Sequence, residues 1–154
     1  MTSADIYNYI KVNDAFITGG QPTVEQFKSL AAEGFSTIIN LATFDPPYAL
    51  ANEAELVHSL GMTYFHIPVE WDDPKDSDFT AFEQIMQQLP AGKTLIHCIA
   101  NFRVTAFYSL YARKHLGWSE AEADDFRAKI WKGSDNPAWR AFIARIQAQI
   151  ADRP

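Results

Sequence analysis

Four short apolar runs, "AFIT", "FSTIINL", "MTYFHIPV" and "KTLIHC", recur between residues 15 and 98, and the stretches between them carry helical periodicity. No other feature limits the fold as much. Strands joined through helices need right-handed crossovers, so the runs must line up in one sheet whose two faces the helices cover. We expect an α/β chain with a mostly parallel sheet of four to five strands flanked by helices. The helix signals agree. In "TVEQFKSLAAEG", Thr23 and Gln26 form a capping box and Gly34 marks a stop; "ALANEAELVHSLG" ends at Gly61. A third helix is expected from about Asp78 to Leu89, with Ser77 or Asp76 as its cap. The last third is helical: "RVTAFYSLYARKHLG", "SEAEADDFRAKIW" capped by Ser119, and "PAWRAFIARIQAQI" opened by Pro137. "GGQP" reads as a turn, and Trp131, Trp139 and Phe142 as core anchors.

Within 154 residues there is no repeat or flexible linker, which predicts one domain over 1–154, with "FDPPY" and "WDDPKDSD" as surface loops. A net charge of -6 argues against non-specific nucleic-acid binding, and no apolar run approaches the roughly 18 residues a membrane span needs. One cysteine cannot form an internal disulfide, in keeping with a reducing compartment. The first ten residues lack a leader's basic and apolar regions, so a cytoplasmic chain is expected, although a chain already trimmed of a leader would read the same way.

In sheets of this kind ligands bind beyond the carboxyl ends of the strands, and Cys98 follows one such end. In "LIHCIANFRVTAF", a helix starting near Arg103 leaves Ile99, Ala100, Asn101 and Phe102 as a loop whose N–H groups converge with a helix N-terminus on an anion. Dipole, amides and guanidinium all favour the thiolate form of Cys98, and Arg103 offers two parallel donors to a phosphoryl or sulfate group. The bland account is an inert core cysteine. Strand, helix and arginine at short spacing favour the chemical one.

The segment resembles the signature of the cysteine-dependent phosphatases, the protein tyrosine and dual-specificity superfamily: His-Cys, five residues, Arg, then Ser or Thr. His97, Cys98 and Arg103 match in type. "GGQPTVEQFKSLAAEGFSTIINL" and "HSLGMTYFHIPVEWDD" also resemble blocks of a bacterial phosphatase-like group. The resemblance implies that Cys98 attacks phosphorus, that Arg103 and the loop amides hold the oxygens, that His97 braces the loop from behind, and that an aspartate protonates the leaving group. The substrate class it implies is a phosphorylated small molecule or phosphoprotein, phosphotyrosine included, with no cofactor.

Two departures stand out. Four residues, not five, separate Cys98 from Arg103, and Val104 follows the arginine, with Thr105 one position late. A missing charge-assisted hydrogen bond to a thiolate costs about 1.5–3 kcal/mol. Thr105 replaces it only if the short loop turns it inward. The loop has no glycine, and Asn101 is the residue best able to take positive φ; its plainer role is helix capping. The four-residue spacing also resembles rhodanese-type sulfurtransferases, which would work through a Cys98 persulfide. A phosphate- or phosphopeptide-binding module of low turnover is the third reading.

Phosphoester hydrolysis through cysteine needs a proton donor. The loop "IPVEWDDPKDSD" offers Glu70, Asp72, Asp73, Asp76 and Asp78, and by resemblance Asp72 is the first candidate and Asp73 the second. For any single one of these aspartates, a solvated or capping role is the plainer account. Trp71 is expected to pack this loop down. Phe44, Asp45, Pro46 and Pro47 lie at the same sheet edge. His58, His66 and His115 show no ligand spacing, so no metal site is expected.

Overall fold

The computed structural model describes residues 2–44, 49–132 and 136–151. The apolar runs form β2 (Phe16–Gly19), β3 (Phe35–Asn40), β4 (Thr63–His66) and β5 (Lys93–His97), preceded by a two-residue β1 (Ile10–Lys11). Order across the sheet is β1-β2-β5-β3-β4, and every pairing is parallel except that of β1 with β2. β1 escapes sequence reading because two residues carry no periodicity. Between and after the strands lie α1 (Val24–Ala32), α2 (Glu53–Ser59), α3 (Asp76–Met86), α4 (Phe102–His115), α5 (Glu120–Trp131) and α6 (Pro137–Ala151).

Local chemistry sets the helix ends. The Thr23 hydroxyl accepts the Gln26 N–H at 3.1 Å while the Gln26 side chain accepts the Thr23 N–H at 2.9 Å, and Ser119 with Glu122 repeats the device at α5. Gly34 and Gly61 stop α1 and α2 at φ +91° and +82°, where a Cβ would be strained. α3 starts earlier than the expected Asp78 and ends before Leu89. Neither Ser77 nor Asp76 caps it; Lys75 holds the cap position and donates its N–H to Asp78 at 3.1 Å.

"GGQP" is not a glycine turn. Gly19 closes β2 and Gly20 bridges to Ala100, both without positive φ. What Gly20 supplies is closeness, since a Cβ there would meet the Ile99 carbonyl oxygen at 2.5 Å.

Alternation along the strands sorts the core. Ile38 and Leu95 face α1 and α2, packing with Phe27, Leu30 and Val57. Ile39 and Ile96 face the other way, into Val104, Phe107, Phe79, Phe82, Trp139 and Phe142. Each such side chain, fully buried, contributes roughly 1.5–3 kcal/mol. α4 is buried without interruption from Arg103 to Ala112, as expected of a helix covered by the sheet on one side and by α5 and α6 on the other. The strand ends Gly19, His97, Asn40 and His66 fall in one row. Cys98 comes next after that row. No helix among the described residues is long and apolar enough to cross a membrane.

Candidate active site

The chain leaves β5 at His97, and Cys98, 1% exposed, still donates its N–H to the Gly19 carbonyl at 3.3 Å. From there each loop carbonyl is held in turn. The Cys98 oxygen lies 3.0 Å from His97 Nδ1, the Ile99 oxygen accepts the Gln21 N–H at 2.9 Å, and the Ala100 oxygen accepts the Asn8 amide at 3.0 Å. The Asn101 oxygen accepts both the N–H and the hydroxyl of Thr105, at 3.1 and 2.9 Å. A planar trans peptide points its C=O and the following N–H in opposite directions, so pinning a carbonyl also aims an amide. The N–H groups of Ile99, Phe102 and Arg103 find no acceptor among the described residues. Asn101 takes the left-handed conformation, φ 71°, and α4 opens immediately after it. It stands at the cap position without capping. Its buried amide nitrogen donates instead to the Asn8 carbonyl at 2.8 Å and the Thr18 hydroxyl at 3.0 Å.

Arg103 sits in the first turn of α4, 6% exposed. Its guanidinium carbon lies 5.5 Å from the centre of the Trp71 ring, its Nε is buried without a partner, and no carboxylate pairs with it among the described residues. Burying a cation unpaired is costly. A guanidinium held this way beside a helix N-terminus has the chemistry to take an anion as its partner.

Behind the loop lies an acid that sequence reading missed. Glu53, at the start of α2 and 6% exposed, accepts from His97 Nε2 at 2.7 Å, the Tyr64 hydroxyl at 2.9 Å and the Gln21 amide at 2.6 Å. Both ring nitrogens of His97 face acceptors, the Cys98 carbonyl at Nδ1 and the Glu53 carboxylate at Nε2, so the ring is gripped from two sides. Burial pushes the Glu53 carboxyl up, but the His97 charge and the hydrogen bonds from His97, Gln21 and Tyr64 outweigh it and hold the carboxyl below the ordinary range. Burial, then the Glu53 charge, push the Tyr64 hydroxyl well above its usual value. The one available signal for Glu53 was an acidic residue at the start of a helix that follows a strand end on the Cys98 edge.

Thr105 does not turn toward the sulfur. Its hydroxyl serves the Asn101 and Phe102 carbonyls and accepts the Trp131 indole N–H at 3.1 Å, so it supports the loop from below. Val104 is fully buried in the core. No side chain among the described residues hydrogen-bonds Cys98 Sγ.

The acidic loop is clamped by Trp71, which stacks on Trp131 at 5.9 Å, tilts against Trp139 at 5.6 Å and meets Phe102 edge-on at 6.0 Å, while Trp139 Nε1 donates to its carbonyl at 2.7 Å. Trp139 and Phe142 are core residues; Trp131, half-buried, belongs to this backing layer. Asp76 is committed to Arg145 at 2.8 Å and Gln149 at 3.0 Å, bonds that hold its carboxyl below the usual range, Arg145 foremost. Asp78 caps α3. Asp73 pairs with Lys75 at 3.3 Å, whereas Asp72, exposed, has no hydrogen bond or ion pair among the described residues. Phe44 is 58% exposed at the same edge; Asp45, Pro46 and Pro47 lie outside the described residues. His66 bonds the Ala42 carbonyl at 2.6 Å, His115 pairs with Glu83, and His58 is exposed on α2.

Comparison with known proteins gives this arrangement a family. Residues 1–136 match the model of the DSP-PTPase phosphatase fused to NAD+ kinase. A "Putative phosphatase (DUF442)" from Shewanella putrefaciens CN-32 superposes with a TM-score of 0.86 at 30% identity, over 94% of this chain and 91% of that one. The core catalytic domain of the PP-IP phosphatase SIW14 from S. cerevisiae, at 17% identity and a TM-score of 0.72 over 95% and 92% of the two chains, shares the fold. A curated relative from Agrobacterium fabrum, the "Beta-lactamase hydrolase-like protein", is 32% identical over 104 residues, which cover 66% of this chain. The match spans 24% of that relative's length. With a family model covering most of its length, the chain belongs to the DSP-PTPase phosphatases of the NAD+ kinase fusion family, within the cysteine-dependent phosphatase superfamily.

Proposed function

We propose that this phosphatase domain hydrolyses phosphomonoesters, phosphotyrosine among them, through a phosphocysteine on Cys98. The observation that carries the reading is Arg103: a buried, unpaired guanidinium in the first turn of α4, beside main-chain N–H groups that lack protein acceptors. A phosphoryl group supplies the missing charge. Cys98 Sγ attacks phosphorus, the ester P–O bond breaks, and Asp72 gives its proton to the leaving oxygen. Water then attacks phosphorus, the P–S bond breaks to return the thiolate, and the Asp72 carboxylate takes the water's proton. Throughout, Arg103 and the loop amides of Ile99, Ala100, Asn101 and Phe102 hold the equatorial oxygens. Asp72 is preferred to Asp73 because Lys75 occupies the latter.

Phosphate release from an aryl phosphate, measured beside sulfur transfer from thiosulfate to cyanide, tests this. The wild type is expected to release phosphate and Cys98→Ser to release none. Sulfur transfer without phosphate release would establish the persulfide reading instead, and oxyanion binding without turnover the binding module. In the same assay Asp72→Asn should lower kcat by about 10²–10⁴-fold for a poor leaving group, with little effect on an activated one. Asp73→Asn should fall within a few-fold of wild type.

A further inference from the structure

The N-terminal segment, far from the motif in sequence, meets the loop at its most constrained point. We propose that Asn8 is a positioning residue for the anion loop, forming with Asn101 a two-way amide clasp that fixes the Ala100–Asn101 peptide in the place where a glycine would otherwise turn the chain. This rests on the phosphatase reading above only for its catalytic consequence. The Asn8 side chain donates to the Ala100 carbonyl at 3.0 Å, and the Asn101 side chain donates back to the Asn8 carbonyl at 2.8 Å. Both residues hold positive φ, 53° and 71°, which a residue with a Cβ adopts at a cost. Two residues in that conformation clasp each other across 93 positions.

The orientation of the Asn101 amide is determined. Its nitrogen donates to the Asn8 carbonyl and the Thr18 hydroxyl, and turning it over would set its oxygen against the Asn8 carbonyl, which has no hydrogen to give. The neighbouring carbonyls need no such help. Ile99 is held by the Gln21 main chain, Asn101 by Thr105 and Cys98 by His97, all within the sheet edge or α4 itself. Ala100 alone depends on a side chain from outside that framework. Glycine at this position would turn freely in both directions; asparagine turns and is also tied. Asn8 lies just past Tyr7, whose carbonyl accepts the Gly20 N–H at 2.7 Å, so the clasp is anchored to the strand edge that carries the site.

Asn8→Gly and Asn101→Gly remove the side-chain bonds while keeping positive φ accessible. Three measurements are made on the wild type, both single variants and the double variant: tungstate affinity, kcat and KM for an aryl phosphate, and hydrogen exchange of the peptide covering 95–107. Each single variant should weaken tungstate binding by up to about tenfold, the scale of one or two lost hydrogen bonds, one in Asn8→Gly and two in Asn101→Gly, whose amide also serves Thr18, and raise KM more than it lowers kcat. The double variant should be no worse than about tenfold, because either change opens the same clasp. Exchange should quicken over 99–103 while α5 and α6 stay as in the wild type. Asn8→Asp, which keeps the shape but has no donor, should behave as Asn8→Gly. Loop exchange unchanged in Asn8→Gly, or losses that multiply to about a hundredfold in the double variant, would overturn the clasp. A wild type that neither binds tungstate nor releases phosphate would sink the phosphatase reading, and exchange at 99–103 would still decide the clasp.

Discussion

Arg103→Met is expected to abolish hydrolysis and to leave the fold as stable as before, or more so. The guanidinium is buried, stacked on Trp71 and paired with no carboxylate among the described residues, so in the absence of ligand it opposes folding. An unbranched apolar side chain of similar length keeps the contact with Trp71 and sheds the desolvated charge. Removing a buried charge that has no partner is expected to leave Tm unchanged or to raise it. Catalysis should move the other way. Losing one preorganised donor costs about 10²–10³ in kcat, and Arg103 supplies a pair. Arg103→Lys restores charge but neither the fork nor the stacked plane, and should recover little. Phosphate separates the states again, since a ligand that binds only the folded protein raises its Tm. Added phosphate should raise the wild-type Tm and leave that of Arg103→Met unmoved. Parallel losses of activity and Tm would show that Arg103 is structural and remove the observation on which the function rests.

The motif was legible because its parts are contiguous. Cys98, Asn101 and Arg103 lie within six residues, and a strand before and a helix after them set their relation by local geometry alone. The sheet was legible for a similar reason: apolar runs at intervals leave few topologies once crossovers must be right-handed. What could not be read depends on long-range closeness. Gly19 and Gly20 carry the same letters as a turn, yet Gly20 serves the close approach of the chain after β2 to the Ile99 carbonyl, about eighty positions away, and Gly19 makes room for the Ile6 side chain. Thr105 would serve the thiolate only if turned inward, and Trp131 with two carbonyls claims its hydroxyl instead. Asn8 and Glu53 sit in stretches that suggest a polar N-terminus and a solvated helix. Nothing local tells that an acid in "ALANEAELVHSL" is buried, and only the fold brings it 2.7 Å from His97, 44 positions away.

Glu53→Gln should therefore be the most destabilising polar substitution in the site. The carboxylate accepts three hydrogen bonds, and two of its three donors hold the loop: His97 through the Cys98 carbonyl, Gln21 through that of Ile99. A glutamine can accept at one atom only, and its NH₂ group would face donors of Gln21 or Tyr64. Breaking a buried pair from one side costs about 3–5 kcal/mol, a fall in Tm on the order of 10 °C. Tyr64→Phe, which removes one donor and no charge, should cost only about 1 kcal/mol. The pH dependence follows from the direction of the shift. The folded-state carboxyl lies below the ordinary glutamate value of 4.5, so its contribution is complete above that value and is lost as pH falls through the depressed one. Thermal melts from pH 7 down to about pH 3 should show a wild-type Tm that declines below about pH 4.5 and a Glu53→Gln Tm, lower throughout, that declines less steeply there. Equal slopes in the two proteins would mean that Glu53 is not the group being protonated. Activity adds the functional link, because a loop released at Cys98 and Ile99 together loses the alignment of sulfur with Arg103, and kcat should fall even at neutral pH where the variant remains folded.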